Sequence, residues 1–167
     1  LVFLMGIGFA TAAVFAFLAE ASPPPSSEPP CPDPAAVEAQ LARLGVEARS
    51  LADALERWRR DGNGEAALTL LAGHERRYPR GALWVETRVA RAEILLSLSR
   101  NPEALAALDS LSLANLPRAR ELSTLRGELR AQAGRCAEAR VDLARVLSST
   151  ETDELGKRAR RALSSCP

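Results

Sequence analysis

Apolar residues along this chain change their spacing twice. Leu1–Ala19 carries no charge and one polar side chain, Thr11. As a helix that run measures about 28 Å at about 1.5 Å per residue, close to the roughly 30 Å hydrocarbon core of a bilayer. Ser22–Pro34 then holds seven prolines in thirteen residues, which removes too many N–H donors for helix or sheet and predicts an extended polyproline II spacer of about 40 Å. Beyond it the period is helical. Val37, Leu41, Leu44, Ala48, Leu51, Leu55 and Trp58 recur at alternating intervals of four and three. They form one apolar stripe on a helix ending near Asp61-Gly62, where glycine suits the left-handed C-terminal turn. The stripe is expected to pack on later helices of the same chain, an oligomer through a 37–58 coiled coil being the other use.

Three segments follow: 1–19, a transmembrane or signal helix; 20–34, the proline-rich spacer; and 35–167, a helical domain. Within the domain a Glu-Ala pair recurs in Gly64-Glu65-Ala66-Ala67-Leu68, Asn101-Pro102-Glu103-Ala104-Leu105 and Cys136-Ala137-Glu138-Ala139-Arg140. Each opens a helix after a short polar turn. Asp61-Gly62-Asn63-Gly64, Ser99-Arg100-Asn101-Pro102 and Gly134-Arg135 have the chemistry of helix breaks, with Asn101 as the expected N-cap and Pro102 at the first helical position. Pro79 with Gly81, and Pro117, separate the units, and Asp153 with Glu154 places acids at the positive end of a last helix. Small and apolar residues at i, i+4 and i+7 (Ala66, Leu70, Gly73; Ala104, Leu108, Leu111; Ala139, Leu143, Val146) predict the packed face of each second helix. The fold class is all-α, built from antiparallel helix pairs.

A helix–turn–helix period with Gly, then Glu-Ala, then apolar residues four and seven later and a closing proline resembles the tetratricopeptide repeat. The unit from Leu125-Arg126-Gly127 to Leu147 carries the likeness best, Gly127 and Gly134 standing at the family's two glycine positions. Residues 47–166 are covered, as units of about 47–80, 81–117 and 118–151 with a cap helix at 152–166. The resemblance implies a short α-solenoid that binds a protein or peptide, with first helices lining the concave side. Its ligand-facing positions fall on Glu86, Val89 and Glu93 in the second unit and Glu121, Thr124 and Glu128 in the third, an acid-lined groove suited to a basic or amide-rich peptide. The layout is also similar to bacterial envelope proteins with such repeats behind a membrane segment.

Composition sharpens the address. All four phenylalanines and the one methionine lie in the first nineteen residues, while Trp58, Tyr78 and Trp84 are the only aromatics afterwards. Residues 1–40 hold four acids and no base, and the remainder holds 22 bases and 17 acids, a net of +5. With its first base at Arg43, the chain is expected to place its C-terminal domain outside the cytoplasm under the positive-inside bias. Residues 1–19 are then a single-pass anchor in the cell membrane, or a secretory signal cut near Ala21 at Ala19-Glu20-Ala21, which releases the domain to the periplasm. No base precedes the apolar run, so a portion upstream of Leu1 is expected to be missing unless an alternative start codon was read as leucine. The basic residues are arginines interleaved with acids, apart from Lys157; that pattern argues against nucleic-acid binding.

Candidate chemistry is sparse. Cys31, Cys136 and Cys166 make no C-x-x-C, and a single histidine cannot complete a zinc site with them. Antiparallel packing of a helix at 136–148 on one at 153–166 brings Cys136 to Cys166, either as a disulfide or as two buried thiols. His74 is expected to be structural, near a helix end where a cation suits the dipole. No nucleophile elbow, phosphate loop or H-E-x-x-H occurs, which argues against an enzyme and against a metal or other cofactor. Lys157, Arg158, Arg160 and Arg161 read as a solvated cap face, with anionic lipid or an acidic partner as the alternative. The expectation is a membrane-tethered extracytoplasmic scaffold or adaptor for an envelope protein or peptide. The alternative is the sensor region of a membrane-bound signalling protein, of anti-sigma type, whose cytoplasmic domain lies upstream of Leu1.

Overall fold

A computed structural model describes residues 33–148 and 153–166. The apolar segment 1–19, Cys31 and all but the last two residues of the spacer lie outside the described residues. These form seven helices and no strand: α1 (Pro34–Asp61), α2 (Gly64–Arg77), α3 (Trp84–Ser97), α4 (Asn101–Asp109), α5 (Ala119–Gln132), α6 (Cys136–Leu147) and α7 (Glu154–Ser164). None is long and apolar enough to cross a membrane. Each helix packs on the next, and α1 also touches α3 and α7 also lies against α5.

The turns explain where the helices stop. Gly62, at φ +65°, ends α1 in the left-handed region, and its N–H donates to the Trp58 carbonyl. Asn63 then accepts from Ala66 N at 2.9 Å, capping α2. The α3–α4 and α5–α6 connections share one design. Arg100 N donates to Leu95 O and Ser99 N to Leu96 O, and likewise Arg135 N donates to Arg130 O and Gly134 N to Ala131 O. Both are Schellman closures with a left-handed residue, Ser99 at φ 60° and Gly134 at φ 74°. Asn101 does not cap α4; its amide donates to Gln132 of α5 at 3.3 Å, and Arg100 occupies the cap position without a side-chain bond.

Helix α3 has no cap residue of its own, because Leu83 stands at the N-cap. Glu47 of α1 supplies it, accepting from Ala82 N at 3.1 Å and Leu83 N at 2.9 Å. A carboxylate at the positive end of a helix satisfies orphan donors and the dipole together. The fit requires glycine opposite, since a Cβ at position 81 would sit 2.0 Å from the Glu47 carboxylate.

Two apolar clusters result. The larger joins α1 to α5 around Leu71, Ile94, Leu95 and Leu108, and the smaller joins the end of α5 to α6 and α7 around Leu143, Val146 and Ala159. The packed faces of α4 and α6 are the expected ones. In α2 the face is one residue on: Ala67, Leu71 and His74 are buried, while Leu70 is 42% exposed. The matching buried alanines are thus Ala67, Ala104 and Ala139. The Glu-Ala pair is not in equivalent register in α2, because Gly64 there occupies the helix start that Asn101 and Cys136 occupy later. The apolar stripe of α1 is divided as well. Leu51, Leu55 and Trp58 join the core, whereas Val37, Leu41 and Leu44 are exposed. A heptad seam over the whole of 37–58 is therefore not free for another chain.

Candidate functional site

Helices α1 and α3 meet, but α3 and α5 do not, and the space between them is closed by the α4–α5 connection. Leu55 and Arg59 of α1, Val85, Glu86, Val89 and Glu93 of α3, and Leu116, Pro117, Arg118 and Leu122 line a cleft of about 220 Å³. The floor is aliphatic and the rim is charged. A second hollow of about 330 Å³ continues from it, shared by Glu93, Arg118, Glu121, Leu122 and Leu125 with Leu155 and Arg158 of α7.

The six positions picked out by the repeat resemblance divide between them. Glu86, Val89 and Glu93 line the first cleft and Glu121 the second. Thr124 lines neither. It is fully buried, with its hydroxyl donating to Arg120 O at 2.8 Å, on a helix that packs against both α6 and α7. Thr124 therefore offers no surface to a ligand, which corrects the expectation for that residue. Glu128 is held by Arg158, whose guanidinium donates to both carboxylate oxygens at 2.8 and 2.5 Å.

Glu93 and Glu121 are not left bare. Arg118, itself in a left-handed conformation at φ 62°, donates to Glu121 at 2.5 Å and to Glu93 at 3.3 Å. Those contacts, with Glu121 first, raise the Arg118 pKa above its ordinary value, and Glu128 does the same for Arg158. A charge-matched rim replaces the expected acidic groove. Sequence reasoning did not place Arg118 or Arg158 at the rim, because Arg118 reaches Glu93 25 residues away besides its near neighbour Glu121, and Arg158, read as part of a solvated face, reaches Glu128 30 residues away.

Other polar groups serve the framework. Arg126 and Asp142 are buried and paired through two bonds of 2.8 and 2.7 Å, and Arg126 also donates to Leu108 O and Leu111 O at the end of α4. Arg130 joins Asp142 to Asp109, and Arg135 joins Asp109 to Glu138. Burial raises the Asp109 pKa, but the bonds from Arg135 and Arg130 outweigh it and hold the carboxyl below its ordinary range. His74 stands where α4 and α6 carry Leu111 and Val146. It is 3% exposed, neither ring nitrogen has a hydrogen-bond partner, and Nε2 lies 4.0 Å from Glu47 Oε1.

At the far end, Cys136 and Cys166 are joined by a disulfide with Cα atoms 5.5 Å apart. Asp153 caps α7 through Gly156 N at 2.9 Å and receives Arg120 at 2.7 and 3.1 Å. Arg120 first, then Gly156, lowers the Asp153 pKa to about 2. Of the basic residues on α7, Arg158 turns to Glu128 and Lys157 to Glu154, leaving Arg160 and Arg161 exposed. Among the described residues no three His, Cys, Asp or Glu side chains converge as metal ligands would. The chain matches no protein-family model, no curated protein and no solved structure.

Proposed function

We propose that the helix pairs form a tetratricopeptide-like scaffold that binds a protein or peptide, tethered to a cell membrane through residues 1–19 and working outside the cytoplasm. The observation that carries this reading is the cleft between α1, α3 and the α4–α5 connection, an aliphatic floor of Leu55, Val85, Val89, Leu116 and Leu122 under a rim carrying both signs of charge. A concave apolar site with a few oriented polar groups fits an apolar side chain of a partner. The charge-matched rim suits a peptide with an apolar anchor flanked by polar residues, in place of a purely basic one. The Cys136–Cys166 bond supports an oxidising compartment.

A photo-cross-linking residue at Val89, compared with one at exposed Ala144 on α6, tests the reading in the native membrane fraction. Capture of a discrete partner from position 89 and not from 144, abolished by Leu116→Asp, is the expected result. Equal capture from both positions, or none from either, sinks it.

A further inference from the structure

Helix α1 has 28 residues, twice the length of α2, so one end of it has no neighbour among the described residues. The side chains that meet α2 and α3 begin at Glu47, and every residue from Asp33 to Leu44 is exposed. Within that free stretch Val37, Leu41 and Leu44 are 38%, 63% and 36% exposed. At about 100° per residue they share an arc of about 60°, with Arg43 and Arg49 about 120° to either side of its centre. Glu38, the one acid between positions 34 and 46, stands on the polar flank.

Glu47 also fixes what lies beside this stretch. Its contacts with Ala82 N, Leu83 N and His74 bring the 74–83 segment against α1 one turn past Arg43. That segment carries Arg76, Arg77 and Arg80, all exposed. Arg118, Arg126, Arg130 and Arg158 are each matched to a carboxylate. Among the described residues none of Arg43, Arg49, Arg76, Arg77 and Arg80 has an acidic partner. An apolar stripe flanked by unmatched arginines is the pattern of a helix that lies in a membrane interface, with aliphatic side chains at the acyl boundary and guanidinium groups on lipid phosphates.

We infer that the free N-terminal half of α1 docks on an anionic bilayer surface, with Val37, Leu41 and Leu44 inserted and the 76–80 arginines on headgroup phosphates. The proposal rests on the tethered reading for its geometry. A polyproline II spacer over Ser22–Pro34, as its composition predicts, would give about 40 Å of reach at about 3.1 Å per residue. Dimerisation through the same stripe is the competing occupant; three aliphatic residues with no complementary charge across the seam favour it less than a surface rich in phosphate.

The test uses the full chain carrying Cys31→Ser and Leu41→Cys, labelled at position 41 with an environment-sensitive fluorophore without reductant and mixed with vesicles. Vesicles containing phosphatidylglycerol should move the label's emission to the blue and expose it to quenching by brominated acyl chains. Phosphatidylcholine alone should leave it in water, and Arg76→Gln, Arg77→Gln and Arg80→Gln together should weaken the anionic effect by roughly fivefold per arginine. A chain that floats with both vesicle types while the label stays in water overturns this proposal and leaves the tether intact. Flotation with anionic vesicles only, with the label buried, supports docking and removes the tether. No flotation overturns both. A blue shift that follows protein concentration in either lipid, with energy transfer between labelled copies, assigns the stripe to a second copy and overturns docking.

Discussion

The α3/α4 and α5/α6 pairs are one design with two kinds of interior. Positions 35 residues apart correspond: Ala92 with Gly127, Leu95 with Arg130, Ala107 with Asp142, Leu108 with Leu143 and Ser99 with Gly134. In the first pair the helices meet through buried Ala92, Leu95, Ala107 and Leu108. In the second, Arg126 and Arg130 converge on Asp142, and a Cβ at position 127 would sit 2.6 Å from Leu143. The polar version needs the closer approach and stricter residue choice. A buried ion pair is no more stabilising than a well-packed aliphatic core, so the second pair gains in defined register what it gives up in tolerance.

The largest test of that contrast is to break the ion pair. Arg126→Ala leaves Asp142 buried with one partner fewer and should lower stability by about 3 to 5 kcal/mol in urea unfolding. Arg126→Met with Asp142→Leu, which puts aliphatic side chains in place of the ion pair and leaves Arg130 its Asp109 partner, should recover most of it. If the single change costs under about 1 kcal/mol, the pair is not the register device described. Reducing Cys136–Cys166, which has no counterpart in α3/α4, should cost about 3 to 4 kcal/mol for a separation of 30 residues, followed by thermal unfolding with and without reductant.

Smaller effects follow from the glycines. Gly127→Ala should destabilise by about 1 to 3 kcal/mol through overpacking on Leu143, whereas Ala92→Gly should cost only about 1 kcal/mol of helix propensity. In the shared turn, Ser99→Gly should relieve the roughly 1 to 2 kcal/mol cost of a left-handed L-residue, less the entropy glycine loses on folding, and Gly134→Ala should destabilise by about 1 kcal/mol or more, since both positions are left-handed. The least effect is electrostatic. The Asp153 carboxyl lies at about 2 when folded, below its ordinary 3.8. Its contribution is complete above about pH 4 and is lost as pH falls through about 2. Asp153→Asn should flatten acid unfolding of α7 in that window, read by circular dichroism.

Much of this was legible along the chain. Gly62, Pro79, Pro117 and Gly134 punctuate the helices where breaks were read, and i, i+4, i+7 spacing gave the packed faces of α4 and α6. Local periodicity could not supply register between helices. The Glu65-Ala66 pair sits one residue out of phase with the packing of α2, because helix start, and not motif, sets which side turns inward. Thr124 went wrong for a related reason: a repeat pattern treats each unit alike, and α7 lies against α5 as α5 does not lie against α3. Glu47 and His74, 27 positions apart in sequence, carry no short-range mark of their proximity. The ion pairs of the cleft rim share that obscurity.

Glu47 has a temporal consequence. The start of α3 depends on a side chain made 36 residues earlier, so the cap is already waiting when the chain reaches Leu83. Growth from the N-terminus can therefore start α3 on a finished edge. A fragment beginning after α1 lacks that edge, and its first helix would start with two amide donors open to water.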